Sequence, residues 1–216
     1  MKDKAGQGGT GGYPAGRLWV FPVIILLLVL LIGWDNRQLL PRIEESVITT
    51  YIQSLRGGRF GTGYGLPSVD QVSFAELEPG DIVLGGWPNC AYGRFSHVGL
   101  YIGNNQVVEG YVDEGLSLQD LSHYRNYSEV CLLRVEASPQ VKDQAVNYAL
   151  ARQGQMFYPA AFKPGERYWN CSKIIWLAYA HQGIDLDELG DLWIAPEKFR
   201  DSRYVKILYE KGTQHF

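Results

Sequence analysis

Cysteine is scarce in this chain. The three cysteines, Cys90, Cys131 and Cys171, are an odd number and too few for a disulfide framework. None belongs to a Cys-x-x-Cys pair, so the spacing of a structural zinc site is missing. Cys131 stands inside an apolar run and is interpreted as a buried strand residue. The sequence does not decide whether Cys90 and Cys131 form a disulfide bond, although nothing in their spacing supports one.

An excess of positive charge is also missing. The net charge is −3, and the sequence contains no motif typical of RNA or DNA binding, so we predict no nucleic-acid partner. No HExxH-like spacing is present, and we predict neither a metal nor a cofactor. Apolar residues make up 46% of the chain and aromatic residues 13%, as in ordinary folded proteins. The length of 216 residues allows one medium-sized domain with accessory segments.

Charge is absent altogether from the segment Leu18–Trp34, which has 17 residues. As a helix it would span about 26 Å, close to the roughly 30 Å of a bilayer core, and Arg17 can snorkel across the difference. A cleavable signal peptide is the alternative, but its apolar core is usually shorter, and no Ala-x-Ala-like site follows here. We therefore predict an uncleaved transmembrane helix over residues 18–34.

The flanking charges predict the orientation of this helix. Lys2, Lys4 and Arg17 precede it, whereas Arg37 and Arg42 follow it in the company of acidic residues. Positive flanks favour the cytoplasmic side. We predict a single-pass protein of the cell membrane, with its N-terminus in the cytoplasm and the remainder of the chain outside.

The other segments differ in composition. Residues 1–17 include six glycines and are predicted to form a disordered cytoplasmic tail. Residues 35–72 are predicted to form a juxtamembrane helix followed by a glycine-rich linker. That helix could lie on the membrane, continue the anchor or pack on the domain. Residues 73–216 are then the globular domain.

Within the globular part, short segments with alternating apolar residues precede the main helices. A serine and a proline predict a helix from Ser138 to about Gln153, and a second helix is predicted over residues 171–182. A short helix is predicted to begin at Ala195-Pro196. Strands followed by helices without regular alternation indicate an α+β domain. The predicted strands lie near residues 82–84, 97–102, 106–112, 129–135 and 204–210.

Three residues suggest acyl-transfer chemistry. His97 interrupts an apolar strand, and Glu109 stands between Val108 and Gly110, an unusual place for a solvated carboxylate. Cys171 follows Asn170, a plausible N-cap, and would lie in the first helical turn. A thiol at a helix N-terminus and near an imidazole is shifted toward the thiolate. By contrast, His123 lies in a polar stretch and is interpreted as a surface residue.

The order of these residues resembles that in the circularly permuted branch of the papain-like, NlpC-type cysteine hydrolases, in particular the YiiX/YaeF group. Lecithin–retinol acyltransferase is similar more distantly. The resemblance covers roughly residues 74–183 and implies a permuted papain-like fold with an antiparallel sheet packed on helices. It rests on Pro79-Gly80-Asp81-Ile82-Val83, on Phe95-Ser96-His97-Val98-Gly99-Leu100-Tyr101-Ile102-Gly103, on Glu109, and on Cys171-Ser172-Lys173 through Tyr179.

The resemblance implies a cysteine hydrolase, an amidase or peptidase or an acyl hydrolase, that acts through an acyl-enzyme thioester. Cys171 would be the nucleophile, His97 the base and Glu109 the group that orients it. The implied substrates are cell-wall peptides or lipid-type amides and esters, with Tyr158 as a candidate for substrate contact. An acyltransferase, a non-catalytic binding domain and a metal site made of His97, Glu109 and Cys171 remain as alternatives.

The turn after Ile102 decides whether His97 and Glu109 can meet. With an even two-residue turn at Asn104-Asn105, the two side chains would point to opposite faces of the sheet. We therefore predict an odd-length turn, or a bulge with the same effect, which places Gly99 opposite Glu109. We also predict that this face meets the start of the Cys171 helix.

Overall fold

The structure is a computed structural model that describes residues 20–35, 47–65, 72–187 and 190–211. The chain divides into two units, residues 1–41 and residues 42–216. The predicted cytoplasmic tail, residues 1–17, lies outside the described residues.

The first unit contains helix α1, Val20–Asp35, which has 16 residues. At about 1.5 Å per residue it is roughly 24 Å long, short of the roughly 30 Å of a bilayer core. Among the described residues, no helix combines the length and the apolar content that crossing a membrane requires. The predicted transmembrane helix over residues 18–34 is therefore not supported.

The second unit is built on one antiparallel sheet of six strands in the order β4-β3-β2-β1-β5-β6. It agrees with the predicted α+β class and with an antiparallel sheet packed on helices. The strands are β1, Ile82–Gly86; β2, His97–Gly103; β3, Gln106–Tyr111; β4, Gly115–Asp120; β5, Glu129–Val135; and β6, Val205–Lys211.

Alternation along the strands separates two apolar clusters. Val98 and Leu100 of β2 belong to the larger cluster, together with residues of helices α3, Pro139–Leu150, and α4, Cys171–Ala180. Val83 and Val107 belong to the smaller cluster, together with Leu121 and Tyr124 of the 3₁₀ helix Leu121–Asn126. Because neighbouring strand residues point to opposite faces, the two clusters lie on the two sides of the sheet.

The Pro79-Gly80-Asp81 segment connects the sheet to both long helices. Asp81 is fully buried, and its carboxylate binds Lys142 Nζ of α3 at 3.0 Å and the Arg134 guanidinium of β5 at 3.1 Å. The Tyr179 hydroxyl of α4 donates to the Gly80 carbonyl. A buried carboxylate needs such partners, so this part of the motif has a structural role.

The capping residues in the sequence predicted the starts of both long helices correctly. Ser138 accepts from the Val141 amide at the start of α3, and Asn170 accepts from the Lys173 amide at the start of α4. The predicted short helix is the 3₁₀ helix Pro196–Phe199. Strand β4 and the 3₁₀ helix Leu121–Asn126 were not predicted.

Helix α2, Val47–Arg56, contacts the globular part of the chain. The Val47 amide lies 3.4 Å from Asp191 Oδ2, and Ser54 is buried. After the helix, the Tyr64 amide donates to the Pro88 carbonyl at 3.0 Å. Of the three placements open in the sequence, the structure therefore favours packing on the domain, and the glycine-rich segment that follows is hydrogen-bonded to it.

Candidate active site

The β2–β3 hairpin brings His97 and Glu109 to the same face. Leu100 pairs with Val108, but beyond a bulge the last pair is Gly103 with Gln106. Asn104 and Asn105, with φ of 53° and 59°, form the two-residue turn. Such positive φ values suit asparagine and glycine in a tight hairpin. The bulge restores the odd register, so the predicted effect of the turn is confirmed.

Gly99 leaves the space that the site needs. The register that pairs Leu100 with Val108 places Gly99 opposite Glu109 one step further along. A Cβ atom at position 99 would lie 2.7 Å from the Tyr124 hydroxyl and 3.1 Å from Glu109 Oε2. The first distance is too short for a carbon–oxygen contact. Any larger residue at position 99 would therefore displace Tyr124 or the carboxylate.

Glu109 is fully buried and holds the imidazole of His97. His97 Nε2 lies 2.9 Å from Glu109 Oε2, and the Tyr124 hydroxyl donates to the same oxygen at 2.7 Å. A carboxylate only accepts hydrogen bonds, so Nε2 carries hydrogen in this contact. Nδ1 is then the ring nitrogen that remains for another partner.

Cys171 also interacts with the imidazole of His97. Burial by itself lowers the pKa of His97, but interactions with the side chains of Cys171 and Glu109 outweigh it and raise the pKa to about 10. The ring also stacks on Tyr111, with 4.7 Å between centroids. The structure thus places His97 against Glu109 and near Cys171, the three residues that the sequence singled out.

The start of α4 positions the thiol. Asn170 caps the helix, since its Oδ1 accepts from the Lys173 amide at 2.8 Å. Its Nδ2 donates to the Ala161 carbonyl at 3.3 Å, which connects the helix start to the preceding loop. Cys171 is 9% exposed, so the residue is largely but not completely buried. The amide groups of the first helical turn have no partner within the helix and can bind an anion.

The prediction that the face carrying His97 and Glu109 meets the start of α4 concerns only the first turn of the helix. His97 and Glu109 lie on the face of the smaller cluster, whereas the body of α4 packs on the other face with Ile174 and Ala178 against it. The imidazole still interacts with Cys171 because His97 is the first residue of β2. At this end of β2, the N-terminus of α4 and the imidazole of His97 can approach each other past the edge of the sheet.

The sequence analysis missed two residues that contact Glu109. Tyr124 donates to Oε2, and burial together with the charge of Glu109 raises the pKa of Tyr124, so its hydroxyl keeps its proton. His123 is not a plain surface residue, because its Nε2 lies 3.3 Å from Glu109 Oε1 and its side chain is only 28% exposed. Both belong to the unpredicted 3₁₀ helix, and no periodic signal marked them.

Tyr158 lies on the loop that supports the start of α4. Its amide donates to the Trp169 carbonyl at 2.6 Å, and its ring packs on Tyr168 with 5.5 Å between centroids. The side chain of Tyr158 is exposed. It is therefore not a core aromatic residue, and it stays a candidate for substrate contact.

The other two cysteines are buried and unbridged. Burial raises the pKa of Cys90 to about 11 and that of Cys131 to about 12. Thiols in such surroundings stay protonated near neutral pH and react slowly. All three cysteines are free, so the Cys90–Cys131 bridge that the sequence left open is not formed.

Comparison with known proteins finds a protein with a similar sequence and a solved structure with a similar fold. The uncharacterized protein YycO of Bacillus subtilis (strain 168) is 28% identical over 129 residues, which cover 55% of this chain and 50% of that protein. The chain thus spans about half the length of this curated relative. The crystal structure of metalloprotein yiiX from Escherichia coli O157:H7 matches with a TM-score of 0.54 and 15% identity, over 64% of this chain and 99% of that one.

The family comparison covers most of the domain. Residues 76–195 match the family described as permuted papain-like amidase enzyme, YaeF/YiiX, C92 family. The match includes the Asp81 segment, the β2–β3 hairpin and the start of α4, which together position the candidate site. It confirms the resemblance on which the fold prediction rested: the chain belongs to the YaeF/YiiX family of permuted papain-like amidases.

Proposed function

We propose that the domain is a cysteine hydrolase that cleaves amide or ester bonds through an acyl-enzyme thioester. The observation that carries this proposal is the buried contact between Glu109 Oε2 and His97 Nε2, on an imidazole that also interacts with Cys171. Thiol acyl transfer requires a nucleophile, a base beside it and a carboxylate that orients the base.

The proposed reaction moves one proton back and forth. His97 Nδ1 takes the proton of the Cys171 thiol, and the thiolate attacks the acyl carbon of the substrate. The amide N–H groups at the start of α4 stabilise the oxyanion. His97 returns the proton to the leaving amine or alcohol as the carbon–heteroatom bond breaks. Water then attacks the thioester, with His97 accepting its proton, and the thiol is restored as the acid product leaves.

The family description supports an amide bond as the substrate class. A cell-wall peptide fits this description, and a lipid-type amide or ester is the second candidate. The exposed ring of Tyr158 could contact either one from the loop beside α4. If an acceptor other than water enters the second step, the same residues would perform acyl transfer. A domain that binds without reacting is the remaining alternative.

Selective labelling tests the nucleophile. Iodoacetamide near neutral pH is expected to modify Cys171 first, because Cys90 and Cys131 have raised pKa values and Cys171 is partnered by His97. The modified peptide is identified by mass spectrometry. Peptide-like and acyl electrophiles compared at equal concentration then indicate the substrate class. Modification of Cys90 in the folded protein, with Cys171 left intact, would contradict the assignment.

Membrane attachment is a separate proposal. We propose that residues 18–34 attach the protein to the cell membrane, with the N-terminus in the cytoplasm and the catalytic domain outside. The sequence supports this through its uncharged segment and flanking lysines and arginines. The side chains of residues 23–31 are each 44–63% exposed, so α1 presents apolar groups on every side.

The attachment is tested by fractionation and by a topology reporter. We expect the full chain to stay with the membrane after alkaline carbonate washing, because nine consecutive apolar side chains favour lipid over water. A reporter that is active only outside the cytoplasm, fused after Phe216, is expected to give activity. Deletion of residues 1–34 should release the protein. A mature N-terminus near residue 35 would instead indicate a cleaved signal peptide.

A further inference from the structure

One carboxylate oxygen of Glu109 is left without a hydrogen bond. Oε2 contacts His97 and Tyr124, whereas Oε1 is completely buried and accepts none. His123 Nε2 lies 3.3 Å from Oε1 but is not aligned as a hydrogen-bond donor to it. Buried carboxylate oxygens in folded proteins nearly always have a partner. Oε1 therefore points to a missing proton or cation.

With His123 neutral, a cation between its Nε2 and Glu109 Oε1 would satisfy both atoms. His123 Nδ1 lies 2.5 Å from the backbone carbonyl of Asp120, which can only accept, so Nδ1 carries the hydrogen. In the neutral ring the lone pair is then on Nε2, and it faces Oε1. Two acceptors at 3.3 Å repel each other. The Tyr111 hydroxyl lies 3.2 Å from Nε2 and also interacts with the Glu109 side chain, but it forms no hydrogen bond with Oε1, and its single hydrogen cannot serve both groups.

We propose that His97, Glu109 and His123 form a binding site for a divalent cation, best suited to Zn²⁺. One ligand atom from each residue lies within 4.8 Å of the others. The Nε2–oxygen distances of 2.9 and 3.3 Å approach the roughly 3.4 Å between two ligands of a tetrahedral zinc ion. Two imidazoles and a carboxylate suit zinc and leave a fourth position open.

The surroundings match those of a metal-binding histidine. Such a histidine usually donates its second ring N–H to a carbonyl or carboxylate, which fixes the ring. The contact between His123 Nδ1 and the Asp120 carbonyl has this form. The His123 side chain is 28% exposed, so a cation can reach Glu109 from that side. The thiol of Cys171 is not part of this set, in contrast to the metal site considered from the sequence.

Metal bound at this site would inhibit the hydrolase, a consequence that rests on the proposed function. The ion would bind the lone pair of His97 Nε2, so the single hydrogen of the neutral ring would move from Nε2 to Nδ1. A neutral imidazole in this form has no lone pair free to accept a proton from the thiol or from water. The same carboxylate would serve the active triad or the metal, but not both.

Binding is tested with the full chain after treatment with a chelator. Calorimetric titration with ZnCl₂ is expected to show one ion per chain, and His123→Gln to weaken binding by at least about 10-fold. His181→Gln is the matched control, since His181 is exposed and pairs with Glu166 at 3.0 Å outside the site. If His123→Gln does not fold, His123→Cys should retain binding and add a thiolate-to-metal band with Co²⁺.

Two results would overturn the proposal. Unchanged zinc affinity in His123→Gln would place the ion elsewhere, and loss of zinc in Cys171→Ser would indicate a thiolate site. Inhibition is measured separately, and half-inhibition of His123→Gln should need at least about 10-fold more zinc than the wild type. Zinc binding without inhibition would refute the inhibitory role alone. Absence of any hydrolysis would refute the proposed function, while calorimetry still decides the metal site.

Discussion

Cys171→Ala is expected to reduce kcat/KM by about 10⁴- to 10⁶-fold, the range found when the nucleophile of a covalent mechanism is removed. The acyl-enzyme thioester cannot form without the sulfur. The measurement is hydrolysis of the substrate that the wild type cleaves best. The thermal midpoint of unfolding, recorded in parallel, shows whether the variant is folded.

Cys90→Ala is the control for the loss of a thiol. Cys90 is buried like Cys171, and its thiol interacts with Tyr92, Gly93 and Glu197. We expect its activity to stay within a few-fold of the wild type. Cys171→Ser supplies a second check, because it keeps the shape while offering a much weaker nucleophile. If Cys171→Ala kept more than about one-tenth of the wild-type kcat/KM, the thioester mechanism would be refuted.

His97→Ala should lower kcat by about 10²- to 10⁴-fold, the usual contribution of a general base.

Glu109→Gln tests the orienting carboxylate more finely. The charge of Glu109 helps to raise the pKa of His97 to about 10, so its removal should lower that pKa. If the protonated imidazole is the form that donates to the leaving group, the alkaline limb of the pH–rate profile moves to lower pH.

The matched control is Glu136→Gln, which neutralises an exposed carboxylate at the end of β5. It should change neither kcat nor the pH profile. A purely structural role for Glu109 would reduce the amount of folded enzyme but leave the position of the alkaline limb in place. An unshifted limb in folded Glu109→Gln would therefore refute the electrostatic coupling of Glu109 to His97.

The sequence determined the features that depend on near neighbours along the chain. Ser138 and Asn170 mark the starts of α3 and α4 because a side-chain cap acts within three residues. Alternating apolar residues located β1, β2, β3, β5 and β6 to within a few residues. The segments around His97, Glu109 and Cys171, together with Pro79-Gly80-Asp81-Ile82-Val83, indicated the family, which the match over residues 76–195 confirms.

The tertiary structure alone decided what surrounds Glu109. Strand β4 and the 3₁₀ helix Leu121–Asn126 were not predicted, so His123 and Tyr124 could not be assigned to the site. The bulge in the β2–β3 hairpin was one of two registers that the sequence allowed. Which face α4 covers depends on packing between distant segments. Caps and periodicity act over a few residues, whereas these contacts join side chains that only the folded sheet brings together.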